Sequence, residues 1–243
     1  MLSLTFLFIG FFSAAPRPQP APRYQAILFD VNETLLAMRS LKQAVVKAFG
    51  NQHAFHQWFG LLLHYPLVDT VSGQYHDFGT IGDAALDMTA NMLEEKCLKP
   101  AKKQEIICLL TELLPYKDVP KGLEMLLDAG YSLVAFTNSS QRVLDAQLRY
   151  ADLIHHFEQG LSVERVRRFK PDGRTYQAAV QHLGLAPAEA LLLAAHGWDV
   201  AGAQRAGLAG GFIARPGQTR YPLAPPAYCG KTLVEVAWQL LGK

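Results

Sequence analysis

Four short strings in this chain of 243 residues put acids, a lysine and small hydroxyl or amide side chains where they could do chemistry. Phe29 to Leu35 reads F-D-V-N-E-T-L, with Asp30 directly after an apolar run and Thr34 four residues later; Thr137-Asn138-Ser139, Lys170-Pro171 and Trp198-Asp199 follow in that order. A carboxylate attacks carbon or phosphorus only when it is ionised and not smothered by water, which makes Asp30 the candidate nucleophile. Lys170 supplies a positive charge that favours the ionised form. Thr34, Thr137 and Asn138 offer neutral donors that can orient the carboxylate and bind a substrate carboxylate or an oxyanion. Taken alone, an Asp at a strand end is usually a turn or a helix cap. Several such residues, each just past a strand, make one shared site the better reading.

The elements that must position them alternate along the chain. Ala26 to Phe29, Ser132 to Phe136, Ala190 to Ala195 and Gly211 to Ala214 are continuous apolar runs, the form of strands buried on both faces. Pro120 to Ala129, Gln141 to Tyr150, Asp172 to Leu183 and Val200 to Ala206 lie between or beside them and read as helices. Strands alternating with helices imply βαβ units and a parallel sheet covered on both faces, with the chemistry collected beyond the carboxyl ends of the strands. Residues 39 to about 117 break the rhythm. The spacing of Val45, Val46 and Phe49, then of Phe55, Trp58, Phe59, Leu62 and Leu63, predicts helices with one buried face and no strand. A helical unit inserted after the first strand is the expectation, placed to close the site from water.

The four strings together resemble the haloacid dehalogenase superfamily, and within it the type II group that acts on L-2-haloacids, from Tyr24 to about Lys243. The resemblance implies an α/β fold: a Rossmann-like parallel-sheet core of residues 24–38 and 118–243, with a helical cap domain at 39–117. It implies Asp30, Thr34, Lys170 and Asp199 as catalytic residues, with Asp199 placing and activating the water that hydrolyses an ester intermediate. Around the substrate it implies Asn32, Phe59, Thr137, Asn138, Tyr176, His196 and Trp198, with the Tyr176 hydroxyl facing the pocket. In the implied reaction Asp30 displaces halide from C2 of a small carboxylate substrate, and water then releases the hydroxy acid from the Asp30 ester. A homodimer through cap helices is implied as well.

Two positions separate this chemistry from phosphoryl transfer. Phosphatases of the superfamily carry a second Asp two residues after the nucleophile to protonate the leaving oxygen, and here that residue is Asn32, which cannot deliver a proton. They also place a magnesium-binding Asp about five residues before the equivalent of Asp199, where this chain has Ala194. A halide leaves without protonation, so no cofactor and no metal are expected. Two alternatives stand beside this reading: a phosphatase using Mg on a small phosphoester, and a non-catalytic binding protein of the same fold. Departures from the dehalogenase pattern bear on the substrate: Phe59 stands where an arginine is usual, His196 for an asparagine, Ala194 for a serine, and Asn32-Glu33 for Tyr-Gly. Two roles are open to His196: a neutral hydrogen bonder or, at lower pH, a cation in place of the arginine.

Composition sets the outer bounds. Lys and Arg number 23 against 21 Asp and Glu, a net charge of +2, and both excess charges are Arg17 and Arg23, so residues 24–243 balance. A nucleic-acid partner is excluded by the lack of a basic excess. Residues 1–23 hold an apolar run from Leu2 to Phe12, short of a stable membrane span, then a tether with Pro16, Pro18, Pro20 and Pro22. A cytoplasmic location is expected, or export if residues 1–15 act as a signal peptide. Cys97, Cys108 and Cys229 are three widely spaced residues, the pattern of unpaired thiols. His53 with His56, and His155 with His156, lack a third ligand in register and read as solvated or interface side chains.

Overall fold

The computed structural model describes residues 23–242, so the apolar run and most of the proline tether, with any role in export, lie outside the described residues. β1 (Ala26–Phe29) is followed by β2 (Leu36–Ala37), the helices α1 (Arg39–Phe49), α2 (Ala54–Ser72), α3 (Phe78–Met92) and α4 (Pro100–Cys108), and then β3 (Leu114–Pro115). The rest runs α5 (Val119–Asp128), β4 (Ser132–Thr137), α6 (Gln141–Tyr150), β5 (Gln159–Ser162), α7 (Gly173–His182), β6 (Ala190–Ala194), α8 (Gly197–Arg205), β7 (Ala209–Ile213), β8 (Tyr228–Gly230) and α9 (Leu233–Leu240). The large sheet has the order β5-β4-β1-β6-β7-β8 and every pairing in it is parallel.

β1 is central because all four of its side chains are apolar and buried. Phe29 lies level with Ala135 of β4 on one side and Leu193 of β6 on the other. Asp30, Thr137 and the turn after Ala194 therefore leave the sheet along one edge. After β1 the chain adds β4 and β5 on one side of it and β6, β7 and β8 on the other, and such switch points open a crevice in parallel sheets.

The four strands expected from the sequence form within one or two residues of their expected ends. α8 differs in a way that matters: it begins at Gly197, ahead of the expected Val200, so Trp198 and Asp199 lie in its first turn. Two edge strands, β5 with the sequence QGLS and β8 with YCG, carry too few apolar residues to show a period, and only pairing reveals them. α9 had a readable start, since Thr232 Oγ1 accepts the N–H of Glu235 and Glu235 bonds back to Lys231 N.

Residues 39–117 are helical, with one exception to the expectation of no strand. β2 and β3 pair antiparallel, Leu36 with Pro115 and Ala37 with Leu114, so the two ends of the helical insertion are tied in one short ribbon. Within the insertion Trp58 is fully buried and its indole N–H donates to Gly82 O at 2.9 Å. Gly82 itself packs closely, since a Cβ there would come within 3.1 Å of the Ile107 side chain. Among the described residues no helix is long and apolar enough to cross a membrane.

Candidate active site

Asp30 is the first residue past β1, and its N–H donates to Leu193 O at 3.1 Å, which prolongs the sheet by one bond. The chain then turns tightly, with Leu35 and Leu36 N–H both on Val31 O at 2.9 and 3.0 Å. That turn brings Thr34 back over the carboxylate. The Thr34 hydroxyl donates to Asp30 Oδ2 at 2.6 Å and is itself oriented by Ala195 N–H at 2.8 Å.

Lys170 approaches from the loop before α7 and is 1% exposed. Its ammonium has three protons and three acceptors: Asp30 Oδ1 at 2.8 Å, Asp199 Oδ2 at 2.7 Å and Phe136 O at 3.1 Å. Asn138 fixes the lysine backbone, accepting Lys170 N–H on Oδ1 at 2.9 Å. Tyr176 donates to Asp199 Oδ1 at 2.5 Å. Gly202 makes room for this contact, because a Cβ there would lie 2.7 Å from the tyrosine oxygen.

His196, the residue before α8, completes the group. Nδ1 lies 3.0 Å from Asp30 Oδ2 and Nε2 lies 3.0 Å from Glu33 Oε2, while the ring stacks on Trp198 with centroids 5.1 Å apart. Gln218 Nε2 holds the same Glu33 oxygen at 2.9 Å.

Charge follows from this geometry. Burial pushes the Asp30 carboxyl up, but the Lys170 ammonium and the His196 ring outweigh it and leave Asp30 well below the ordinary carboxylate range. Burial pushes the His196 imidazole down, and its hydrogen bonds to Asp30 and Glu33 reverse this, raising it to about 9. Asp199 is raised by burial and by the charge of Asp30, against the pull of Lys170. Burial and the neighbouring Asp199 keep the Tyr176 phenol protonated, raised well above its usual value. At neutral pH the site holds an ionised Asp30 between two cations.

A cavity of about 20 Å³ opens on Asp30, room for about one water. Asp30, Asn32, Thr137, Asn138, His196 and Trp198 line it from the sheet side, and Phe59, Leu63 and Phe78 from α2 and α3. Thr34, Lys170 and Asp199 touch Asp30 or its partners from behind and do not line the cavity. Tyr176 departs from the expected position, because its hydroxyl is turned onto Asp199 and away from the cavity. Asn32 is locked by Gln147 Nε2 on its Oδ1 at 2.8 Å. Sequence reasoning missed Leu63 and Phe78 as cavity walls and Gln218 and Gln147 as supports. Leu63 and Phe78 carry only an apolar signal that equally describes a core, and the two glutamines carry none.

Among the described residues no three His, Cys, Asp or Glu side chains group to hold a metal ion. Asp30 and Asp199, the pair a divalent cation would bridge, are bridged by the Lys170 ammonium. The residues present do not fit magnesium.

Comparison with known proteins bears on the family. A family model described as haloacid dehalogenase-like hydrolase matches residues 24–207. The (S)-2-haloacid dehalogenase 4A of Burkholderia cepacia is 30% identical over 225 residues, 90% of this chain and 95% of that protein. The (S)-2-haloacid dehalogenase 1 of Pseudomonas sp. strain CBS-3 is 28% identical, covering 89% of this chain and 96% of that one. In structure, the L-2-haloacid dehalogenase of Xanthobacter autotrophicus with chloropropionic acid covalently bound superposes with a TM-score of 0.83 at 23% identity, over 90% of this chain and 99% of that one. With its parallel sheet, its Asp30 past the central strand and its match over most of its length, the chain belongs to the haloacid dehalogenase-like hydrolases, alongside the (S)-2-haloacid dehalogenases.

Proposed function

We propose that this protein hydrolyses the carbon–halogen bond of short (S)-2-haloacids without a metal, through an ester on Asp30. The observation that carries this reading is an Asp30 carboxylate kept ionised by Lys170 and His196 at the mouth of a narrow cavity, with the amide Asn32 where a phosphatase places the acid for its leaving group. A desolvated carboxylate with fixed neighbours is a strong nucleophile toward C2, and chloride or bromide leaves unprotonated. Phe59, Leu63 and Phe78 of the helical insertion, acting as a cap, keep bulk water out during this step. Water then adds to the Asp30 carbonyl carbon. That water gives up a proton, for which Asp199, made more basic by its burial and joined to Asp30 through the Lys170 ammonium, is the acceptor, and collapse releases the 2-hydroxy acid. The Thr137 hydroxyl and the Asn138 and Trp198 side chains are the polar groups left to orient the substrate carboxylate.

The test is free halide from (S)-2-chloropropionate in EDTA, with Asp30→Asn as control. Release that survives EDTA and vanishes in the control is expected; release unaffected by Asp30→Asn, or phosphate release requiring magnesium, would sink the reading. A homodimer is part of the same proposal, supported by Val68 and Val71 of α2, which are 42% and 89% exposed. Sedimentation at equilibrium checks it, with a monomer as the contrary outcome.

A further inference from the structure

Each carboxylate oxygen has two lone pairs in its plane. Among the described residues, Oδ2 of Asp30 accepts two donors, the Thr34 hydroxyl at 2.6 Å and His196 Nδ1 at 3.0 Å, whereas Oδ1 accepts Lys170 Nζ alone at 2.8 Å. The lone pair free to attack C2 is therefore on Oδ1, and Oδ2 becomes the carbonyl oxygen of the ester. When water adds to Cγ, the negative charge develops on Oδ2, where both donors already stand within the distance that stabilises an oxyanion. We propose that His196, as a cation, forms with Thr34 the oxyanion-stabilising pair of the hydrolytic step, and that Glu33 is the positioning residue that holds His196 in that role. This inference rests on the aspartyl-ester reading above.

Glu33 is where the local structure departs most from ease. Its φ is +60°, in the left-handed region that disfavours a side chain, at a position where the family pattern has glycine. The side chain that bears this cost reaches His196 Nε2 at 3.0 Å and is steadied by Gln218 at 2.9 Å. A ring with a carboxylate on each nitrogen must carry both protons, and Nδ1–H is thereby aimed at Oδ2. The turn is fixed behind it, since a Cβ at Gly197 would come within 2.6 Å of Tyr221 N. Asp30 and Glu33 are the charged groups in contact with the ring; Lys170 and Asp199 lie beyond Asp30, Arg215 beyond Thr34 through its bond to Thr34 O, and neutral Gln218 beyond Glu33.

The step balances without a further reactant. The water oxygen bonds to Cγ, the carbonyl pair moves to Oδ2, and collapse breaks Cγ–Oδ1. One water proton ends on the hydroxyl of the departing acid and the other in solvent as Asp30 returns to carboxylate. His196 keeps its proton throughout. The hydrolytic rate must then fall as pH rises and His196 loses that proton. Because the ester has given up the charge of Asp30, this alkaline limb lies below the resting value of about 9.

Single-turnover kinetics with (S)-2-chloropropionate separates the steps, reading halide for the first and hydroxy acid for the second, with intact-protein mass for alkylated Asp30. His196→Ala is expected to slow the second step about 10²- to 10³-fold and to accumulate the ester, with the first step changed far less. His196→Asn retains a neutral donor and is expected to slow it about tenfold and abolish the alkaline limb. Glu33→Gln is expected to move the limb to lower pH. If His196→Ala does not fold, the limb in the other two variants decides. A second step that rises with pH through His196, halide and hydroxy acid falling together, or unchanged hydrolysis in the variants would overturn the inference while leaving the dehalogenase reading intact. No halide from the wild type overturns both.

Discussion

Asp30 has two flanks, and they are built on opposite plans. On one side Lys170, Asp199 and Tyr176 are between 0% and 1% exposed, and every proton of the ammonium has an acceptor. On the other side His196 is 4% exposed, and its partner Glu33, 14% exposed in its side chain, sits in a turn and leans on a loop glutamine. The first flank is a closed set of charges with no degree of freedom, suited to holding a carboxylate ionised in a dry place. The second flank carries a group that titrates, so pH can act on it. One nucleophile thus has a permanent counter-ion and a conditional one.

The sharpest way to break this comparison is Lys170→Met. It leaves two buried carboxylates without their cation, and a loss of about 3–5 kcal/mol in urea unfolding is expected, with no halide release. A mild effect would mean that the closed flank is not closed.

The next largest effect belongs to the other flank and depends on pH. His196 is raised in the folded state to about 9 from an unfolded value of about 6.5. Its stabilisation is therefore fully present below pH 6.5 and disappears as pH rises through 9, a decline of about 3 kcal/mol. Chemical denaturation of the wild type across that window should show the decline and His196→Asn should not; equal slopes would remove the distinction between the flanks.

Tyr176→Phe comes third. It strips Asp199 Oδ1 of its hydroxyl donor and is expected to cost about 1–3 kcal/mol in a thermal or urea melt, without the pH dependence of His196. The smallest effect is Glu33→Gly, where relief of the left-handed backbone offsets the lost bonds to His196 and Gln218. A net stability change within about 1 kcal/mol is expected alongside a displaced pH profile. A large loss of stability there would show that Glu33 serves the fold more than the ring.

The closed flank was legible in the sequence because Lys170 and Asp199 belong to short strings that follow Asp30 in a fixed order, and Asp30 itself stands where an apolar run stops. Asp30, Thr34, Lys170 and Asp199 are brought together as a group, although the sequence did not show that the last three stand behind the cavity. Tyr176 was read as facing the substrate, yet a buried phenol beside a buried carboxylate gains more from bonding it. The second flank was only half visible. The oddity of Glu33 and His196 could be read, but their pairing depends on a left-handed turn and on a loop residue, Gln218, with no periodicity to announce it. The helical insertion shows a similar division, since its buried Trp58 and Leu62 follow the helical period while Leu63 and Phe78 face the cavity with an identical apolar signal.

The short ribbon of β2 and β3 bears on how this protein can be altered. Leu36 and Ala37 lie two and three residues after Thr34, and their partners Pro115 and Leu114 lie just ahead of α5, so the chain leaves and rejoins the sheet domain at almost one point. Tyr116 N–H also bonds Leu35 O at 2.9 Å, which fastens the seam. In topological terms the four helices are a parenthesis: a tight turn joining Ala37 to Leu114 would close the same ribbon as a hairpin. The apolar wall of the cavity, Phe59, Leu63 and Phe78, is thereby carried on a separable length of chain, with the first bracket only six residues from Asp30.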